Sequence, residues 1–282
     1  FMKEKYKKHI EKLRFFIGDV RDYRRLEKAL IDVDMVIHAA ATKIVSTAEY
    51  DPFECVKTNI VGAMNVIDAC INRNIPKVLA LSTDKACNPI NLYGSTKLAS
   101  DKLFIASNHY ASKSSTKFSI MRYGNVINSR GSVIPFFLEM KHLNKPLPVT
   151  DKNMTRFFIS LNDAVISCLN AFANMIGGEI FVKKCKSSNI LDLAKTISNK
   201  IEIIGIRPGE KIHEIMIDKN DCNNTYEFKD HFRIVPRIFS KKIVNEISKG
   251  GNLVKKNFEY ASNINNEWLS KKEIQKAVNF SK

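Results

Sequence analysis

No apolar run in these 282 residues approaches ~18 positions, which excludes a transmembrane helix. The charged first residues carry no apolar core segment, so a signal peptide is not expected. The six cysteines, Cys55, Cys70, Cys87, Cys168, Cys185 and Cys222, contain no C-x-x-C pair. Most lie in apolar stretches and read as free, buried thiols of a cytoplasmic protein. His213-Glu214 lacks the second histidine of H-E-x-x-H, and His38 lies in an apolar run as a core residue, so no metal site is expected. Internal repeats and low-complexity linkers are absent. So are Arg–aromatic interleaving, zinc-finger spacing and a basic heptad region, which weighs against nucleic acid as a partner.

What is there in excess is positive charge. Lys+Arg number 45 against 29 Asp+Glu, a net of +16 and a pI near 9.5. A basic balance suggests an anionic partner: a nucleic acid, a membrane surface or a phosphorylated small molecule. Residues 1–14 hold a net of +4 and residues 241–282 a net of +5, as Lys mixed with Glu and Asn. That pattern marks a solvated surface and leaves the small molecule as the better partner.

Apolar runs alternate with amphipathic stretches. RFFIGDV (14–20), DMVIHAA (34–40), KVLALST (77–83) and FSIMRYGNV (118–126) read as buried strands. DYRRLEKALID, 53–73 and 92–110 read as the helices between them, the second with Val56, Ile60, Ala63, Met64, Ile67 and Cys70 at helical steps. This order predicts an α/β fold, a doubly wound parallel sheet covered on both faces, with ligands beyond the strand C-termini. From Gly131 onward Pro135, Pro146, Pro148 and Pro208 punctuate shorter segments. The expected division is 1–130, a partial Rossmann-type NAD(P)-binding domain, and 131–282, mainly a smaller substrate-binding lobe.

The chemistry concentrates in residues 81–97, LSTDKACNPINLYGSTK. Thr83, Asp84 and Lys85 leave a strand at the ligand-binding edge. Tyr93 and Lys97 stand at i, i+4 on one helix face, where an ammonium can lower the phenol pKa from ~10. Such a tyrosine can take a proton from a substrate hydroxyl. Y-x-x-x-K also arises by chance on helices, and for Asp84–Lys85 taken alone an exposed ion pair at a strand end is the lesser alternative.

The stretch resembles the extended short-chain dehydrogenases/reductases, the superfamily of nucleotide-sugar epimerases and dehydratases. Within it the chain is similar to the inverting UDP-N-acetylglucosamine 4,6-dehydratases that begin pseudaminic acid biosynthesis. The resemblance runs nearly end to end through GDVRD (18–22), HAAATK (38–43), the block above, MRYGNVINSRGSVIPFF (121–137), MTRFFIS (154–160), GGEIFV (177–182), GIRPGEKIHE (205–214) and FEYASNINNEWLS (258–270).

The resemblance implies a lyase with NADP as cofactor (NAD not excluded) that forms a UDP-4-keto-6-deoxy-hexosamine by internal hydride transfer and loss of water. Its product would enter surface-polysaccharide biosynthesis. In such enzymes Tyr93, supported by Lys97, serves the C4 hydroxyl, Thr83 binds near O4, Asp84 is the acid at the C6 oxygen and Lys85 the base at C5. Retaining relatives commonly carry Asp-Glu where this chain has Asp84-Lys85. A lysine is a base only when its pKa falls well below ~10.4. Lys85 is therefore expected in a closed cleft near Lys97 or the oxidised nicotinamide.

By the same resemblance Asp19 and Val20 flank the adenine, and Ala39, Ala40 and Ala41 form a turn that lets backbone approach the cofactor. Lys43, Asn59, Tyr123, Asn125 and Val126 join Tyr93 and Lys97 around it. The substrate set is Lys43, Thr83, Tyr93, Asn125, Val133, Arg156, Arg207 and Glu210, the arginines suited to a diphosphate. On their own the alanines read as tight packing and each arginine as a surface charge. A homo-oligomer is also implied.

A domain of this kind opens with strand, glycine-rich turn and helix. The sequence opens instead on Phe1, with 1–13 reading as a helix tail or connector. A βαβ unit is therefore expected upstream, and a polypeptide limited to these residues is expected to bind the dinucleotide poorly. Two other readings stay open: a UDP-hexose 4-epimerase, which needs Tyr and Lys but no Asp84–Lys85 pair, and a non-catalytic dinucleotide- or nucleic-acid-binding relative.

Overall fold

Residues 2–111 and 115–279 are described by the computed structural model. After a short helix α1 (Met2–Lys5) and a 3-10 segment (Lys7–Lys12) comes α2 (Tyr23–Ala29), capped by Asp22, whose carboxylate accepts from Arg25 N–H. Strand β1 (Met35–His38) leads into α3 (Val45–Tyr50). The long helix expected over 53–73 forms as α4 (Pro52–Val56), a π-helical turn (Lys57–Val61) and α5 (Gly62–Asn72). Strand β2 (Lys77–Thr83) and α6 (Leu92–Tyr110) fall where the pattern places them.

The run 118–126 divides. β3 (Lys117–Tyr123) stays in the main sheet, and beyond Gly124 β4 (Asn125–Val126) joins another. Gly124 allows this switch because a Cβ there would lie 2.8 Å from the Phe157 carbonyl oxygen. There follow α7 (Val133–His142), β5 (Leu147–Val149), β6 (Thr155–Ile159), α8 (Leu161–Asn174), β7 (Ile180–Lys183) and β8 (Lys186–Asn189). Then come α9 (Ile190–Ile197), β9 (Ile201–Ile203), β10 (Ile215–Ile217), β11 (Thr225–Glu227) and β12 (His231–Ile234). The chain ends with α10 (Lys241–Ser248), β13 (Asn252–Leu253), β14 (Tyr260–Ala261) and α11 (Lys271–Asn279).

The main sheet has the order β1-β2-β3-β7-β12-β11-β13, parallel from β1 to β7 and antiparallel beyond. The chain therefore re-enters this sheet after residue 130. In β2, Val78 and Ala80 pack into the core that also holds Val66, Phe104 and Ile105, while Leu79 and Leu81 meet Cys168, Ala171 and Phe172 of α8. Both faces of the strand are thus covered, as its continuous apolar run requires. A second core gathers Ile134, Phe137, Leu147, Val149, Leu193 and Ile274.

The strand predicted at 14–20 does not form. The segment takes no regular secondary structure and has no ladder partner, and Ile17 is 95% exposed. An apolar run becomes a strand only when another strand satisfies its backbone groups, and β1 pairs with β2 alone. All six cysteines are free and buried, as the sequence implies. No helix among the described residues is long and apolar enough to cross a membrane.

Candidate active site

Strand β2 ends at Thr83, whose hydroxyl caps the 3-10 turn Asp84–Ala86 by accepting from Lys85 N–H at 3.3 Å. The same hydroxyl donates to Asp84 Oδ1 at 2.9 Å. Asp84 is fully buried, and its Oδ1 also accepts from Lys85 Nζ at 3.0 Å. Asp84 Oδ2 is buried without a hydrogen-bond partner. An unpartnered buried carboxylate oxygen is costly, and such groups persist where function uses them.

Helix α6 starts at Asn91, whose Oδ1 accepts from Gly94 N–H at 2.7 Å. Its first turn lies against the Asp84–Ala86 turn. A Cβ at Gly94 would come within 2.3 Å of the Lys85 carbonyl oxygen, so glycine is what lets Tyr93 approach Lys85. Tyr93 is buried, and its phenol is pushed up to about 12 by burial, with the Lys85 ammonium and the Thr83 hydroxyl working in the opposite direction. The expectation that Lys97 lowers this phenol is overturned. Lys97 Nζ donates to the Leu81 carbonyl at 2.8 Å, and the nearby ammonium is that of Lys85. Lys97 itself is pushed down by burial, against the pull of Asp101.

The expectation for Lys85 is also corrected. Burial works to lower its pKa, but Asp84 and Glu214 outweigh burial and the Arg156 cation, and the net direction is upward. Glu214 Oε1 lies 3.3 Å from Lys85 Nζ and 3.7 Å from Arg156 Nε. The neighbouring cation is therefore Arg156 rather than Lys97. Sequence reasoning passed over Glu214 because H-E was weighed only as a fragment of a zinc motif. The available signal was its position closing the GIRPGEKIHE block.

Arg156 in β6 is buried, with Nη1 donating to Thr155 and Ile212 carbonyls and Nη2 to that of Lys211. It organises the 205–214 segment from inside and stands 3.9 Å from Glu210 Oε1. Arg207 is exposed on that segment's turn, its N–H donating to Glu210 at 3.4 Å. Tyr123, at the end of β3, is pushed up by burial and is electrostatically coupled to Tyr93. Asn125 and Val126 are half-buried in β4, and Val133 opens α7.

The remaining residues line the β1 end of the sheet. Ala39 and Ala40 are exposed and Ala41 half-buried after β1, and Lys43 is exposed on the same loop. Asn59, in the π-helical turn, holds that loop: it accepts from Thr42 N–H at 2.8 Å and donates to Thr42 O and Thr96 Oγ1 at 3.0 Å. Its amide groups are thus spent within the protein. Asp19 binds Arg21 through both oxygens, and the Val20 carbonyl accepts from Asn65. Beneath the site a buried Asp101–Arg122 pair at 3.2 Å, joined by the Ser82 hydroxyl, ties α6 to β3. Among the described residues no group of three or more His, Cys, Asp and Glu side chains is arranged to hold a metal ion. His38 packs against Phe104 with its ring tilted by 35°, its pKa lowered to about 4 by burial and by Lys97.

The parallel sheet, with a Tyr-x-x-x-Lys helix and a polar turn at its C-terminal edge, defines a Rossmann-type short-chain dehydrogenase/reductase fold. The family described as polysaccharide biosynthesis protein matches residues 1–236, and the chain belongs to it. It is 53% identical over 275 residues to a UDP-N-acetylglucosamine 4,6-dehydratase (inverting) of Campylobacter jejuni, covering 95% of this chain and 82% of that protein. It is 44% identical over 229 residues to a UDP-glucose 4-epimerase of Rickettsia canadensis, covering 79% and 67%. The X-ray structure of Pen from Bacillus thuringiensis superposes with a TM-score of 0.90 at 34% identity, covering 99% of this chain and 85% of that one.

Proposed function

We propose that this chain carries the catalytic site of a nicotinamide-dependent UDP-N-acetylglucosamine 4,6-dehydratase that inverts C5. NADP is the form favoured by the resemblance, with NAD compatible. The observation that carries the reading is the Asp84–Lys85 contact of 3.0 Å beside the buried, unpartnered Asp84 Oδ2. A 4-epimerase has no use for such a pair, whereas elimination of water needs both an acid and a base.

The alanine turn 39–41, Tyr93 and Lys97 would hold the dinucleotide, with Asp19 and Val20 at its adenine end. When bound, it supplies an acceptor for the C4 hydride and returns that hydride at C6. Tyr93 takes the C4 hydroxyl proton as the phenolate, a form that burial disfavours and that the Lys85 ammonium and the Thr83 hydroxyl favour, with Thr83 near O4. Moving the shared proton from Lys85 Nζ to Asp84 turns the pair into an amine and a carboxylic acid. In water this transfer is uphill by about 9 kcal/mol on ordinary pKa values, and burial narrows the gap because the neutral forms need no solvation. The amine then takes the C5 proton while Asp84 protonates the departing C6 oxygen. One water is lost, and the pair ends as it began. Once C6 carries the returned hydride, a proton from solvent enters C5 from the opposite face, and the proton held by Tyr93 passes back to solvent.

Arg207, exposed beside Glu210, suits the diphosphate, and Arg156 supports their segment from behind. Lys43, Asn125 and Val133 complete the substrate set. Six unpaired cysteines support a reducing, cytoplasmic setting. Exposed Phe53, Val61 and Met64 on the 52–72 helical run support a homo-oligomer.

Incubation of the protein expressed from its complete gene with UDP-N-acetylglucosamine, followed by mass spectrometry, tests the reading. Loss of water with deuterium from solvent at C5 is expected. An isomer of unchanged mass would overturn it in favour of the second reading, 4-epimerase, which the Rickettsia relative supports.

A further inference from the structure

Glu214 has no role in the scheme above, yet it is built into the site more firmly than several residues that do. It is 2% exposed, its N–H donates to Ser262 Oγ at 3.0 Å, and its carbonyl accepts from Ser262 N–H at 2.8 Å. Ser262 Oγ in turn lies 2.7 Å from Thr155 Oγ1, which contacts His213 Nδ1 at 2.9 Å. Glu214 Oε1 faces both Lys85 and Arg156, and Oε2 is buried with no partner.

The pair Arg156–Glu214 alone would be closed and neutral. Lys85 adds a second cation to the same oxygen and brings Asp84 as its own counter-charge. We infer that Glu214 is the positioning residue of Lys85: it fixes the ammonium against Asp84 and sets the pH above which the pair gives up its shared proton. The charged and titratable groups facing the pair are Asp84 from the turn after β2, Tyr93 from α6 and Arg156 from β6. Glu210 and His213, from Glu214's own segment, stand behind Arg156. Of these only Glu214 and Asp84 touch the Lys85 ammonium with negative charge. Removing one of the two carboxylates leaves burial and Arg156 less opposed, so the amine loses its proton more readily.

The kinetic part of this inference rests on the dehydratase reading; the contact and its effect on Lys85 do not. Competitive amine labelling across pH, read at the Lys85 peptide by mass spectrometry, needs no substrate. Glu214→Gln is expected to lower the labelling pKa of Lys85 by about one pH unit or more, and Glu214→Asp to restore part of it. In turnover, E214Q should lower kcat about tenfold or more with little change in KM, and shift the alkaline limb of the rate profile to lower pH, because the pair must carry its one shared proton to act. A Lys85 labelling pKa unmoved in whichever of the two variants folds overturns the inference. A moved labelling pKa in a protein that removes no water from the sugar would sustain the pairing and sink the dehydratase reading instead.

Discussion

Lys85 and Lys97 are two lysines of one site, and their environments drive them in opposite directions. Lys97 is buried with a neutral carbonyl as its hydrogen-bond acceptor, and burial wins: its ammonium is disfavoured. Lys85 keeps part of its side chain in solvent and touches two buried carboxylates, which win over burial. Depth alone does not decide the charge of a buried base; the sign of what it touches does.

The largest effect comes from breaking the Lys85 side of this comparison. Lys85→Met should abolish C5 exchange with solvent deuterium and reduce turnover about 10³-fold. It should also cost on the order of 3 kcal/mol of stability near neutral pH, because Asp84 and Glu214 are left facing each other. The sign follows from the raised pKa. The contribution is complete below the ordinary lysine value of ~10.4 and is lost as pH rises above it. The gap between the two proteins in denaturant titrations should therefore narrow from pH 7 to above 10.5 as the pH climbs towards the raised folded value, and parallel curves would remove the two-carboxylate account.

His38, the neighbour of Lys97, gives the next effect. Its pKa of about 4 lies below the ordinary 6.5, so the unfolded chain takes up a proton that the folded one refuses. Stability should fall by about 3 kcal/mol between pH 6.5 and 4 from this residue. His38→Leu should flatten that acid limb in thermal melts, and an unaltered limb would count against it.

Lys97→Met should have the smallest consequence for stability, and of opposite sign to Lys85→Met. A lysine of lowered pKa costs stability while charged, so its removal should gain on the order of 1 kcal/mol at pH 7. Chemical denaturation showing a loss as large as that of Lys85→Met would erase the contrast.

Strand β2 and helix α6 were readable from residues because their signals are local: a continuous apolar run that begins just after Pro76 for the strand, and Asn91 as a cap for the helix. The run 14–20 carries a similar signal and fails, because a strand is a property of two segments. Tyr93 and Lys97 were legible as an i, i+4 pair, but the partner of each was not. Lys97 is held by a carbonyl of β2, and Tyr93 meets Lys85 through the glycine at 94.

Composition, periodicity and motif spacing determined strands β1, β2 and β3, the helices between them and the stretch that carries the chemistry, since these follow from neighbours in the chain. The protonation of that stretch was decided in three dimensions. Charges act through space, and Glu214, placed by β10 and its pairing with β14, reaches Lys85 from a distant part of the chain.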